Sequence, residues 1–309
     1  MANSIQNERL KVTFRYDPTT LFSERFESIG VVEQVCLNGK HLFCEPEQRI
    51  KERVTCYGVG LCGEYVWDEL AQEVAPGELF PKIGVGLLQQ RPEGGGYNMW
   101  KHYEVQPYPV KADFSEDRAV FVQECSSCIG IAARLTKEAT LHGNELHMQV
   151  TLENLGTRKL ELAEYQHNFL SLNGTEIGPG YRLEVPFAKS LAGIEDRAYD
   201  VNNPFQRQSG FMAAQGSSVV WNRTMDGHGF HMDIPAEQLD IGSGNYWKLT
   251  HCNQNVSVKE KLTFNPSRLV LWGVEHCISA EVYIPISVEP GEKQSWTRIW
   301  QFSEEDSHE

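Results

Sequence analysis

The residues best placed to move a proton lie in one stretch, VTLENLGTRKLELAEYQHNFLSLNG, from Val150 to Gly174. A strand turns at Asn154-Leu155-Gly156. The next strand carries Glu164, Gln166 and Asn168 on one face and Tyr165, His167 and Phe169 on the other, because successive strand side chains point oppositely. His167 draws attention because imidazole changes charge near neutral pH. A lone histidine on a strand is more often a packed residue with one satisfied hydrogen bond, so context must decide. Other groups invite chemistry less. Cys125-Ser-Ser-Cys128 is a single CxxC with no second cysteine pair or histidine pair to complete a four-ligand zinc site, and it reads as two half-buried thiols. His228-Gly-Phe-His231, with Asp226 and Asp233 nearby, has no secure third metal ligand and reads as a solvated or pocket-rim loop. Gly84-Val85-Gly86 and Gly94-Gly95-Gly96 lack the strand-to-helix setting and the lysine of a phosphate cradle.

The elements that must position such groups are strands. Short runs of β-branched and aromatic residues, punctuated by Gly, Pro, Asn and Asp, recur throughout, which is the signature of a sandwich or barrel. Leu10 to Tyr16, Ile29 to Leu37, Ala119 to Glu124, Gly130 to Thr136, Glu145 to Leu152, Lys159 to Leu172, Ser218 to Arg223, Arg268 to Glu275 and Ala280 to Val288 all read this way. Asn38-Gly39 and Asn173-Gly174 predict tight turns with positive φ. Trp67 to Val74 is the one helical candidate; it ends at Ala75-Pro76-Gly77 after about two turns and reads equally well as an inserted loop. The expectation is an all-β chain forming one large antiparallel sandwich over residues 1 to 309.

Composition narrows the partners. Lys and Arg total 28 against 42 Asp and Glu, a net charge of −14, which repels nucleic-acid phosphates and anionic lipid. No apolar run is long enough to span a bilayer and no export signal is visible, so a soluble cytoplasmic protein is expected. Eight cysteines at irregular spacing agree with reduced thiols. No metal, nucleotide or flavin site is evident, and no cofactor is expected.

The Asn-x-Gly turn, the strand and the His followed by aromatic and Asn-Gly residues resemble the H-x-[YF]-F-N-L segment of the aldose 1-epimerases and hexose-6-phosphate mutarotases, the galactose mutarotase-like superfamily. Leu269 to Trp272, Ala280 to Ile286 and Glu289-Pro290-Gly291-Glu292 before Trp296 are similar to its last strands. Gly58 to Tyr65 and Phe80 to Leu88 resemble a divergent bacterial branch. The likeness touches most of residues 30 to 303. It implies that His167 is a general acid and Glu281 a general base, with Glu275 a competitor for the base. The family's His-Gly-Phe-Arg stretch is missing; Tyr97 and Lys101-His102-Tyr103 stand in that neighbourhood.

Interconverting sugar anomers requires a proton removed from the anomeric hydroxyl and one given to the ring oxygen, so that the ring opens, turns about C1–C2 and recloses. The resemblance places Glu281, ionised at neutral pH, and His167, held charged by a carboxylate such as Glu164, at opposite edges of the sugar. Arg91, Lys101, His102, Tyr103, Tyr165, Trp272 and Glu275 are the expected substrate contacts, with Trp67 and Trp100 as further stacking faces. The partner is then a small-molecule sugar, and the protein a monomer or homodimer. Two alternatives stay open: a non-catalytic sugar-binding or regulatory module, and a lyase using Tyr165 and His167.

Overall fold

Alternation of apolar and polar residues folds into two large antiparallel sheets. In the computed structural model, which describes residues 3–17, 21–49 and 57–304, every second residue from Ile131 to Leu141 is buried and the intervening ones are half-exposed. Such a strand can pack only one face on a core. Its sheet has the order Met212–Gln215, Ser218–Trp221, Tyr181–Glu184, Tyr246–His251, Val256–Leu262, Lys293–Glu304, Glu145–Asn154, Ile131–His142, Arg118–Cys128 and Val110–Phe114.

The facing sheet runs Ser4–Gln6, Leu10–Arg15, Val31–Leu37, Leu61–Val66, Leu160–Asn168, Cys277–Val288, Arg268–Val274, His228–Pro235, Ala198–Asp200 and Asn203–Gln208, with His41–Leu42 paired to Val31–Leu37. Its central strands are buried on both faces, as the Leu61–Val66 and Cys277–Val288 strands show. One face meets the other sheet; loops lie over the second, and a small sheet of Leu79–Lys82, Gly86–Gln89 and Val105–Pro107 packs against Arg118–Cys128. The architecture is thus the all-β sandwich expected from the sequence.

Several boundaries move. The strand expected over Lys159 to Leu172 ends at Asn168, after which Leu170 makes only isolated bridges to Cys44 and Ile278. Trp67 to Val74 holds a 3-10 turn, Asp68–Glu73, whose N-terminus has no side-chain cap. Asn38, Gly39, Asn173 and Gly174 all take positive φ, as the Asn-Gly pairs predict. His228 to Asp233 is a correction: it belongs to the His228–Pro235 strand rather than a loop. Three residues apart on a strand, His228 and His231 point to opposite faces, which separates them as ligands. Among the described residues no three metal-binding side chains gather, and no helix is long and apolar enough to cross a membrane. Described cysteines are free thiols, buried at 44, 62, 125 and 277; Cys56 lies outside the described residues.

Charges lie inside the sandwich, and each is matched. Arg298 is fully buried; its Nη1 donates to Glu260 and its Nη2 to Glu164, both at 2.8 Å, and Nη2 also meets the Val282 carbonyl at 2.9 Å. Buried Lys137 pairs with Glu27, whose carboxylate also accepts from the Gly63 amide at 2.6 Å. Isolated charges here would be prohibitive, which explains the pairing.

Candidate functional site

The alternation that sends Glu164 inward to Arg298 sends Tyr165 and His167 outward, onto the loop-covered face of the sheet. Glu281 reaches the same face from the neighbouring Cys277–Val288 strand, one residue before Val282, which faces the core. His167 Nε2 and Glu281 Oε1 are 3.1 Å apart. Both line a cavity of about 580 Å³, within the range of about 300–1,000 Å³ usual for small-molecule sites. The histidine ring is fixed by its neighbours. It stacks on Phe169 at 3.8 Å and meets Trp272 and Phe26 edge-on at 5.1 and 5.7 Å.

A charged network adjoins the pair. Ser23 Oγ accepts from the Arg25 and Phe26 amides, which shapes the turn that carries Arg25 over the sheet. The Arg25 guanidinium donates to Glu64 Oε2 and to the Tyr165 hydroxyl, each at 2.8 Å, and lies 3.8 Å from Glu47. Lys82 donates to the second Glu64 oxygen at 3.0 Å. Burial alone would raise Glu64, but Lys82 and Arg25 outweigh it and bring the carboxyl down to about 2. Tyr165 also stacks on Tyr283 at 4.5 Å.

The His167–Glu281 pair responds in the opposite sense. Burial, aided by Arg25, pushes the imidazole well below its ordinary range. Burial pushes the Glu281 carboxyl up to about 8, with Arg25 opposing and Glu64 and Glu47 adding. Both shifts favour an uncharged imidazole beside a protonated carboxyl, with one transferable proton between them. This differs from the sequence expectation of an ionised Glu281 and a charged His167. Glu164 is not available to charge His167, since it faces the core and serves Arg298.

The remaining expected contacts divide. Tyr165 and Trp272 line the cavity. Arg91 pairs with Glu93 and sits over the Tyr103 ring, away from the lining. Tyr103 is buried against Phe80 and Tyr97, and its hydroxyl accepts from the Asn98 amide. His102 meets Glu24 at 2.7 Å, and Lys101 is exposed. These groups hold the 97–103 loop to the Arg25 segment; the loop's Met99 and Trp100 are the residues that line the cavity. Glu275 sits in the turn between the Arg268–Val274 and Cys277–Val288 strands and accepts from the Gly227 amide at 2.9 Å, outside the lining. Trp67 packs against the main core.

Sequence reasoning missed Arg25, Glu47, Glu64, Arg207 and Arg268, all of which line the cavity, as does His231 of the segment read as a pocket rim. Arg25 and Glu47 sit on loops with no periodic signal. The one available clue for Glu64 was a charge inside the otherwise uncharged run LCGEYV, where a buried strand would require a partner.

No protein-family model matches the chain, and no curated protein sequence does. Solved structures do. A galactose mutarotase-like protein from Lactobacillus casei superposes with a TM-score of 0.58 at 11% identity, over 98% of this chain and 100% of that one. A galactose mutarotase-like protein from Clostridium acetobutylicum gives 0.59 at 12% identity, over 97% and 94%. The Slr1438 protein from Synechocystis gives 0.59 at 13% identity, over 99% and 96%. The chain has the galactose mutarotase-like β-sandwich fold, the architecture implied by the resemblance around His167.

Proposed function

We propose that the protein is an aldose 1-epimerase that opens and recloses a sugar ring with His167 and Glu281 acting as one pair. The observation that carries this reading is their 3.1 Å contact on the floor of a ligand-sized cavity. The anomeric hydroxyl oxygen and the ring oxygen are both bonded to C1. An acid and a base must therefore stand side by side, and groups at opposite edges of the ring would miss one oxygen.

Neutral His167 takes the anomeric proton while the Glu281 carboxyl gives its proton to the ring oxygen, and the C1–O bond of the ring breaks to leave the aldehyde. After rotation about C1–C2 the two transfers reverse, and the pair returns to its starting state. A proton passed from Glu281 to His167 across their contact gives the carboxylate base and imidazolium acid of the family resemblance, so both assignments use the same two groups. Tyr165, tied to Arg25 and Glu64, is poorly suited to act as a free lyase base.

Polarimetry on a panel of freshly dissolved aldoses tests the reading: the protein should hasten the approach to the equilibrium rotation. The absence of any acceleration across the panel would reject it. The pH dependence follows from the pair. The Glu281 proton is lost above about 8, and His167 protonates only well below its ordinary range. kcat/KM should be flat through neutrality and fall about tenfold per pH unit above the upper limit. A rate that climbs through pH 8 would contradict the protonated carboxyl.

A further inference from the structure

The cavity is longer than the reacting end of a sugar. Its floor crosses seven adjacent strands, from Leu61–Val66 through the two that bear His167 and Glu281 to the outermost hairpin, Ala198–Asp200 and Asn203–Gln208. Neighbouring strands lie about 4.8 Å apart, so six steps give a floor about 29 Å long. His167 and Glu281 stand on the second and third strands, which leaves four further steps, about 19 Å, on the hairpin side. A pyranose ring spans little more than one such step.

The outer stretch is built from flat faces and spare donors. Trp272, beside His167, is half-buried and lines the cavity. Beyond it, Tyr199 lies across from Gly229, where an added Cβ would come within 2.8 Å of the tyrosine ring. Glycine at 229 thus lets the ring lie down on the sheet. The Arg207 guanidinium sits over that ring at 5.4 Å, and its Nη1 donates to the Arg197 carbonyl at 3.2 Å. Arg25 and Arg268, the other cations of the lining, are taken up by Glu64 and Asp233. Arg207 has no carboxylate partner among the described residues. An aromatic face at Trp272 that can stack on a sugar C–H surface, followed by a donor-rich guanidinium supported on Tyr199, suits consecutive sugar units.

We propose that the ligand is an oligosaccharide, with its reducing end at His167 and Glu281 and its following units lying over Trp272 toward the Arg207 guanidinium that Tyr199 supports. The inference rests on the epimerase reading for its placement of the reducing end. Binding energy from the remote units can be used at the reacting centre, so longer substrates should turn over faster as well as bind more tightly.

The test measures anomer exchange for malto- and cello-oligosaccharides of increasing length. In at least one series kcat/KM should rise about tenfold or more from the monosaccharide to the tetrasaccharide. Tyr199→Ala combined with Arg207→Ala, on the two outermost strands of the sheet, should return that ratio toward one. Exchange that is catalysed but independent of length in both series overturns the oligosaccharide inference and leaves the epimerase standing. Length-dependent binding by ligand-observed NMR, with no catalysed exchange by the unmodified protein, supports the groove and rejects the epimerase. Neither binding nor catalysis with any member rejects both.

Discussion

Glu281→Gln is expected to lower catalysed anomer exchange by about 10²–10⁴-fold, the usual worth of a positioned acid or base. Glutamine keeps the shape of the side chain and removes the transferable proton. His167→Gln should cost a similar factor, because the proton then has no acceptor next to the carboxyl. The two groups work as a unit, so the double variant should be scarcely worse than either single one. Losses that multiplied in the double variant would mean that the residues act independently, against their 3.1 Å contact. Thermal unfolding of each variant separates lost chemistry from lost structure, a needed control because His167 is packed among Phe26, Phe169 and Trp272.

The largest effect on stability is expected at Arg298, which reaches from the facing sheet to the inner face of the strands that carry His167 and Glu281. Its guanidinium joins Glu164 and Glu260, and all three are essentially inaccessible to solvent. Arg298→Met fills comparable space and leaves two carboxylates without their counterion; Glu260 then retains the Trp247 indole donor at 2.7 Å. Breaking such an arrangement costs about 3–5 kcal/mol, a large share of the 5–15 kcal/mol that holds a typical domain together. The urea midpoint should fall accordingly. The sign of its pH dependence is also fixed. Stranded carboxylates have folded pKa values above their unfolded ones, so the folded variant binds more protons and its deficit should shrink as pH falls from 7 toward 5. A deficit below about 1 kcal/mol at neutral pH, as for an exposed pair, would contradict the arrangement. Since Glu164 and Tyr165 are consecutive, this ionic lock also holds the strand that presents His167.

The all-β architecture was legible in the sequence because period-two alternation records which face of a strand is wet, as Ile131–His142 illustrates. The same alternation around Glu164 to Asn168 put His167 on the face away from Glu164. Strands buried on both faces lose that record, so Leu61–Val66 and its Glu64 went unread. Glycine and histidine made the His228–Pro235 strand look like a loop, although FHMDI alternates in burial. Loop paths were illegible for a different reason. Which side chain a loop directs into a cavity depends on distant anchors: of Trp100, Lys101, His102 and Tyr103, the groups the sequence pointed to in the 97–103 loop, only Trp100 lines the cavity, together with Met99. Charge states were the least accessible, since burial and the Arg25 network, set by tertiary contact, decide them.

The most direct measurement is saturation transfer between the two anomeric proton signals of an aldose already at equilibrium, where the only process observed is ring opening and closing. With the unmodified protein at neutral pH, saturating one anomer should attenuate the other in proportion to protein concentration, and Glu281→Gln should abolish the transfer. Transfer of equal strength from the folded Glu281→Gln and His167→Gln proteins would show that the chemistry, if any, resides elsewhere.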